Sequence, residues 1–236
     1  MTAAWTIAKR EFGAYFKSPI AYIVLSVFLA LTGFLFFDGF FLNGQASMEP
    51  YFDQMPLILL FFGPALGMRL IAEEKGSGTI ELLLTMPVRD WEVVLGKYAA
   101  ALGLLAVGIA LTVPFAVTVG KLGPLDLGPT VGGYLGTLLL GGTYLALGLF
   151  ASAMTKNQIV AFIIGLAICF ALFLIGQFVT AAGPSIGQVL QYMSPQFHFA
   201  GIGRGVIELK NVVYYLSTIA AILVFTVQVL AARKWR

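Results

Sequence analysis

The side chains best able to carry chemistry are few, and their spacing excludes most catalytic designs. Among 236 residues there is one histidine, His198, and one cysteine, Cys169. A single cysteine forms no intrachain disulfide and supports no cysteine-based metal site, and it leaves the redox compartment unread. The same count rules out a histidine metal cluster. A Ser-His-Asp triad would have to be built on His198, around which no supporting motif stands, so His198 reads as a helix-start or interface residue. Gly76-Ser77-Gly78 is no phosphate loop, because a P-loop requires GxxxxGK[ST] and that pattern occurs nowhere in the sequence. The chain cannot hydrolyse ATP alone, and no cofactor of its own is implied.

One segment concentrates polarity. Glu73 to Lys97 reads EEKGSGTIELLLTMPVRDWEVVLGK. Gly76 and Gly78 permit a sharp turn, after which Thr79 to Leu84 can form a short helix with Ile80, Leu83 and Leu84 on one side. Pro87 ends it. Asp90 is placed to N-cap a further helix running from Trp91. A short capped helix between two breakers is thereby held off the rest of the chain; the alternative is a solvated connecting loop.

The elements around that segment follow from composition. Apolar residues make up 59% of the chain and charged residues 11%, with a mean hydropathy of +0.93. Globular domains carry about 25% charged residues, so the solvent here is lipid. Uncharged stretches run from Ser18 to Phe37, Gln54 to Met68, Tyr98 to Gly120, Leu127 to Thr155, Asn157 to Gly203 and Asn211 to Ala232. A bilayer span takes about 20 apolar residues, and the second stretch reaches about Ala72 if Arg69 snorkels. The first reads as a retained anchor and not a cleaved signal. The fifth is broken by Gly183-Pro184 and Ser194-Pro195, which leaves one span followed by a non-spanning hairpin over 183–210. Within it Ile186, Val189, Leu190 and Met193 form one apolar stripe, and Phe199, Ile202, Val206 and Leu209 a second. Ser194 is placed to N-cap the second helix, with Pro195 at its first position. Before the first span Trp5, Ala8, Phe12, Tyr15 and Phe16 recur at helical spacing, which predicts an interfacial amphipathic helix over 2–17. The expected fold is one all-α integral membrane domain over 1–236 with six transmembrane helices.

With both termini in the cytoplasm, eleven Lys and Arg residues lie inside against Lys121, Arg204 and Lys210 outside, as the positive-inside rule requires. The net charge of +3 thus reflects topology and not a nucleic-acid partner. Asp38 and Arg69 lie near span ends, so no ionisable group marks a mid-membrane proton or sodium path. Gln177, Thr112 and Thr118 either line a path or, more simply, bond between helices. Gly132-xxx-Gly136 and Ala161-xxx-Gly165 permit close helix contact.

The loop EEKGSGTIELLLTMP, followed by Gly96-Lys97, resembles the signature loop of ABC-2 type permeases, the membrane subunits of type V ABC exporters. The matching residues are Glu73, Glu74, Lys75, Gly78, Thr79, Glu81, Leu83, Pro87, Gly96 and Lys97. SPQFHFAGIGRGVIELKNVVYYLS, from Ser194 to Ser217, looks like the corresponding segment of gliding-motility-type and nitrous-oxide-reductase-maturation-type permeases. The resemblance implies a non-catalytic permease in the bacterial inner membrane, docked through 73–97 on cytosolic ABC ATPase subunits that hold ATP and Mg. It also implies a second permease, identical or a related one with a periplasmic domain. On this reading Glu73, Glu74 and Glu81 offer charge to a basic partner surface, Ile80, Leu82 and Leu83 fill a pocket on it, and Lys75 and Thr79 belong to the same contact. Gly76, Gly78 and Pro87 shape the loop. Lys156 and Asn157 form a second, smaller contact. The hairpin serves as the outer gate, with Val189, Met193, Pro195, His198, Ile202 and Arg204 as its residues. The other functional readings are a mechanotransmission complex that moves a periplasmic partner and a passive channel.

Overall fold

The computed structural model describes residues 3–43, 46–79, 88–178, 183–206 and 208–232. Among them the chain forms eleven α-helices and no strand: α1 (Ala3–Lys17), α2 (Pro19–Asn43), α3 (Glu49–Gly67), α4 (Arg69–Ser77), α5 (Asp90–Ala110), α6 (Val113–Leu122), α7 (Leu127–Met154), α8 (Gln158–Phe178), α9 (Gly183–Met193), α10 (Pro195–Gly203) and α11 (Leu209–Ala231). Six stretches are long and apolar enough to cross a bilayer. They are α2, α3 with α4, α5 with α6, α7, α8 and α11.

Two of these spans are broken once, and side chains from neighbouring helices fill each break. Between α3 and α4 the Ser152 hydroxyl of α7 accepts from the backbone N–H groups of Ile71 and Ala72 at 3.1 and 2.8 Å. The same hydroxyl donates to the Met68 carbonyl at 2.7 Å. Polar backbone freed inside a membrane is costly, and one serine satisfies three groups. Between α5 and α6, Pro114 has no N–H to continue the ladder. Thr112 donates to the Ile109 carbonyl at 2.7 Å, Tyr51 donates to the Thr112 hydroxyl at 2.8 Å, and Tyr134 donates to its carbonyl at 3.0 Å. Thr112 therefore bonds between helices and does not line a path.

The centre of the bundle is α7, whose span is the most enclosed of the six. It packs against α3 at glycine contacts: a Cβ on Gly148 would lie 2.7 Å from the Pro64 Cα, and one on Gly67 would lie 2.6 Å from the Gly148 carbonyl carbon. Only hydrogen fits there. Gly132 and Gly136 face Ile202 and Phe199 of α10, while Gly165 faces Pro64 and Gly148. Both small-residue pairs thus pack helices within one subunit.

The span limits differ from those read in the sequence. The second span starts at Glu49 and runs to Ser77, against the expected start at Gln54 and end near Ala72. The uncharged stretch of the third starts at Tyr98, but its helix starts at Asp90, one residue before the expected helix start at Trp91. Its N-cap is Arg89, whose backbone N–H donates to Glu92 Oε2 at 3.0 Å, so Asp90 is the first helical residue and not the cap. In both cases charge was read as a boundary, whereas a helix continues through the headgroup zone. At the hairpin, Ser194 and Pro195 take the N-cap and N1 positions as read, but α10 ends at Gly203. Gly205 adopts φ +85, a conformation that ends a helix, and so Val206 and Leu209 are not part of it.

Candidate functional site

Three helices meet at the end of the bundle from which the 80–87 segment departs. Gly96 allows α5 to approach α1 closely, since a Cβ there would lie 2.8 Å from the Ala4 carbonyl oxygen and from Ile7. One residue on, Lys97 is 2% exposed, and its ammonium is 2.6 Å from Glu74 Oε1 of α4 and 3.6 Å from Glu11 Oε1 of α1. Burying an ammonium costs several kcal/mol unless opposite charges and hydrogen bonds offset it. Here two carboxylates supply that offset, and the ion pairs fasten α1, α4 and α5 together. Gly96 and Lys97 of the signature pattern thus have distinct physical tasks: the first removes a side chain and the second places a charge.

The remaining members of the pattern occupy the last turns of α4. Glu73 pairs with Arg69 at 2.9 Å. Lys75 is buried and its Nζ donates to the Ala153 carbonyl. Gly78 ends the helix in the left-handed region at φ +75, a conformation suited to glycine. Thr79 is exposed, with its hydroxyl 2.9 Å from that of Ser77. Ile80, Glu81, Leu82, Leu83 and Pro87 lie outside the described residues, as does most of the expected helix from Thr79 to Leu84. The 155–157 loop joins the same site, because a Cβ on Gly76 would lie 2.9 Å from the Lys156 carbonyl oxygen. Both Lys156 and Asn157 are exposed, and the Asn157 side chain accepts from the Ile159 backbone N–H at 2.9 Å, starting α8. The two segments expected to contact an ATPase are therefore neighbours in space. Burial pushes the Tyr15 phenol well above its ordinary range; Arg69 opposes this, while Glu11 and Glu73 add to it.

At the opposite end, the hairpin is tied to α11 by side-chain hydrogen bonds and ring contacts. The buried His198 ring places Nδ1 2.7 Å from Asn211 Oδ1 and Nε2 3.0 Å from the Tyr192 carbonyl, and stacks on Tyr214 at 3.9 Å. Tyr214 and Tyr215 donate to the Met193 and Pro195 carbonyls at 2.7 and 2.5 Å. His198 thus joins α9, α10 and α11. Ile202 is buried, while Val189, Met193 and Arg204 are exposed. Ser152, Glu11, Asn211, Tyr214 and Tyr215 escaped the sequence reading. The signal for Glu11 was its place as the one acidic residue of α1; the others are ordinary polar residues in apolar runs.

No group of three or more potential metal ligands occurs among the described residues. A family model described as ABC-2 family transporter protein matches residues 5–233. No curated protein matches the chain. With six spans and a match over nearly its whole length, the chain belongs to the ABC-2 family of transporter proteins and is a multi-pass membrane permease subunit of an ABC transporter, the non-catalytic partner of an ABC ATPase.

Proposed function

We propose that the chain forms the translocation path of an ATP-driven exporter in a bacterial inner membrane, with both termini cytoplasmic, and takes its power stroke through the 73–97 segment. The observation that carries this reading is the ion-paired junction of α1, α4 and α5, from which that segment departs. A segment rooted in three fastened helices transmits force to several spans at once. In this reading Ile80, Leu82 and Leu83 enter a pocket on the ATPase, Glu81 meets a basic surface on it, and the 155–157 loop adds a second contact. ATP and Mg reside on that partner. A second permease, identical or a related one with a periplasmic domain, completes the path, and the α9–α10 hairpin closes its outer end.

The test is co-purification of the ATPase with a Leu83→Ala, Glu81→Lys double variant, followed by ATP turnover, with membrane expression as the folding control. Loss of association with normal expression supports the docking site. Normal assembly and turnover would overturn it and favour a coupling site elsewhere on the chain or a passive channel. Normal assembly and turnover in the parent protein without movement of any cargo would favour mechanotransmission to a periplasmic partner.

A further inference from the structure

A cavity of about 310 Å³ opens beside α1 at the same end of the bundle. Glu11 and Tyr15 of α1, Ser18 at the turn, Arg69 and Glu73 of α4, and Lys97 of α5 supply its polar wall, with Ile20 and Leu70 as apolar neighbours. Ser18 stands between the charged helix α1 and Pro19, where the first span begins. The cavity therefore sits where an apolar span gives way to polar chain, at the depth of lipid headgroups. Its volume is near the lower end of small-molecule pockets, about 300 Å³. That suits a headgroup and not a whole lipid.

The wall holds charges of both signs, unevenly satisfied. Arg69 directs Nε and Nη2 at the same oxygen, Oε2 of Glu73, at 3.0 and 2.9 Å. Lys97 is shared between Oε1 of Glu74 and Oε1 of Glu11, and Arg10 reaches that Glu11 oxygen at 2.9 Å as well. Glu74 Oε2 is buried with no partner among the described residues. Glu74 also lines the cavity and its Oε2 thus lacks a donor, while the Tyr15 and Ser18 hydroxyls and the guanidinium of Arg69 provide donors on the same wall.

We propose that this cavity binds the headgroup of a zwitterionic phospholipid bearing a primary ammonium, with the ammonium toward Glu73 and Glu74 and the phosphate toward Arg69, Tyr15 and Ser18. A primary ammonium has three N–H donors to offer carboxylates, and Arg suits phosphate oxygens. A quaternary ammonium donates none and is held by aromatic faces, of which this wall has only Tyr15 among the described residues. An anionic headgroup without an amine would leave the carboxylates short of donors and add negative charge beside three of them. The site shares Glu73 and Glu74 with the proposed docking segment, so it is tested on the subunit without an ATPase.

The full chain in nanodiscs provides the test, with phosphatidylcholine alone or with a minority of phosphatidylethanolamine or phosphatidylglycerol. Lipids retained in native mass spectrometry and the thermal midpoint are the readouts. Phosphatidylethanolamine should be retained over phosphatidylcholine by about tenfold, equivalent to about 1.4 kcal/mol, and should raise the midpoint. Glu73→Gln should abolish that preference, and Arg69→Gln, which removes the partner of the phosphate both lipids carry, should lower retention of both, while helicity in phosphatidylcholine is kept. If Glu73→Gln fails to fold, Glu74→Gln carries the same comparison and should weaken the preference; Tyr15→Phe and Ser18→Ala replace Arg69→Gln and should lower retention of both lipids. Equal retention of the ethanolamine and choline lipids overturns the proposal, as does a stronger effect of phosphatidylglycerol or a preference that survives both Glu73→Gln and Glu74→Gln. Protection by free glycerophosphoethanolamine equal to that by the lipid would assign the site to a soluble ligand and overturn the lipid assignment.

Discussion

The two ends of the bundle solve one problem, fastening short helices to long ones, with different chemistry. At the α4 end Lys97 holds Glu74 and Glu11, so α1, α4 and α5 are joined by charge. At the hairpin end His198 bonds to Asn211 and the Tyr192 carbonyl and stacks on Tyr214, while Tyr214 and Tyr215 donate to the Met193 and Pro195 carbonyls; the ion pair there, Lys210 with Glu208, is exposed and does not tie the hairpin to α11. Charge networks are strong where desolvated but fail badly when one member is lost. Each uncharged hydrogen bond contributes about 1 kcal/mol and is lost more gradually. The first suits the proposed power-stroke junction, which would move as a unit, and the second suits the proposed outer gate, which would open stepwise.

The largest expected effect comes from breaking the charged junction. Lys97→Met leaves Glu74 and Glu11 facing each other and should destabilise the chain by about 3 kcal/mol, the lower part of the range for a broken buried pair, because both carboxylates are about one-fifth exposed. Adding Glu74→Gln should restore part of the loss in denaturant unfolding. If Lys97→Met unfolds like the parent, the ion pairs do not hold this end together.

At the hairpin end, position decides the outcome. Ile202 is 0% exposed and lies against Gly132 and Gly136 of α7, so Ile202→Ala should cost about 2 to 4 kcal/mol. Val189 is 60% exposed, and Val189→Asp should leave folding of the isolated subunit within about 0.5 kcal/mol. A loss of assembly with the second permease in Val189→Asp would mark α9 as part of that interface. Tyr215→Phe comes next: it strips a buried bond to the Pro195 carbonyl and should cost about 1 to 2 kcal/mol. Thermal unfolding checks both residues, and an unchanged midpoint in Tyr215→Phe would show that ring packing alone holds the hairpin.

The number of spans was legible because a chain with so few charges advertises each crossing by hydropathy. Their limits were not. Glu49, Asp53 and Asp90 are helical although charged, since helices extend through the headgroup zone. The second hairpin helix was drawn too long because Val206 and Leu209 continue an apolar stripe, while the stop was written in Gly203-Arg204-Gly205. At the candidate site, Gly96 and Lys97 could be matched to a pattern, but their partners Ala4, Ile7 and Glu11 lie more than eighty residues away and only the fold brings them near. Ser152 looked like any small residue in an apolar run, and its task exists only because Met68 interrupts the neighbouring span.

The smallest expected effect separates a structural charge from a docking charge. Arg69 and Glu73 form an (i, i+4) pair on α4 with side chains 25% and 47% exposed, and exposed pairs of this kind contribute about 0.3 to 0.5 kcal/mol. Glu73→Gln should therefore leave the thermal midpoint of the subunit almost unchanged in the choline lipid alone, in contrast to Lys97→Met a few ångströms away. What it removes is a negative charge next to the segment that leads to Ile80. If Glu73 faces a basic ATPase surface, the same variant should slow association and make it less sensitive to salt, since charges at an interface rim act mainly on the association rate. Stopped-flow or surface-based binding at two salt concentrations reads this directly. Unchanged association at both would confine Glu73 to its pair with Arg69 and leave Glu81 and the 80–87 segment to carry the docking charge.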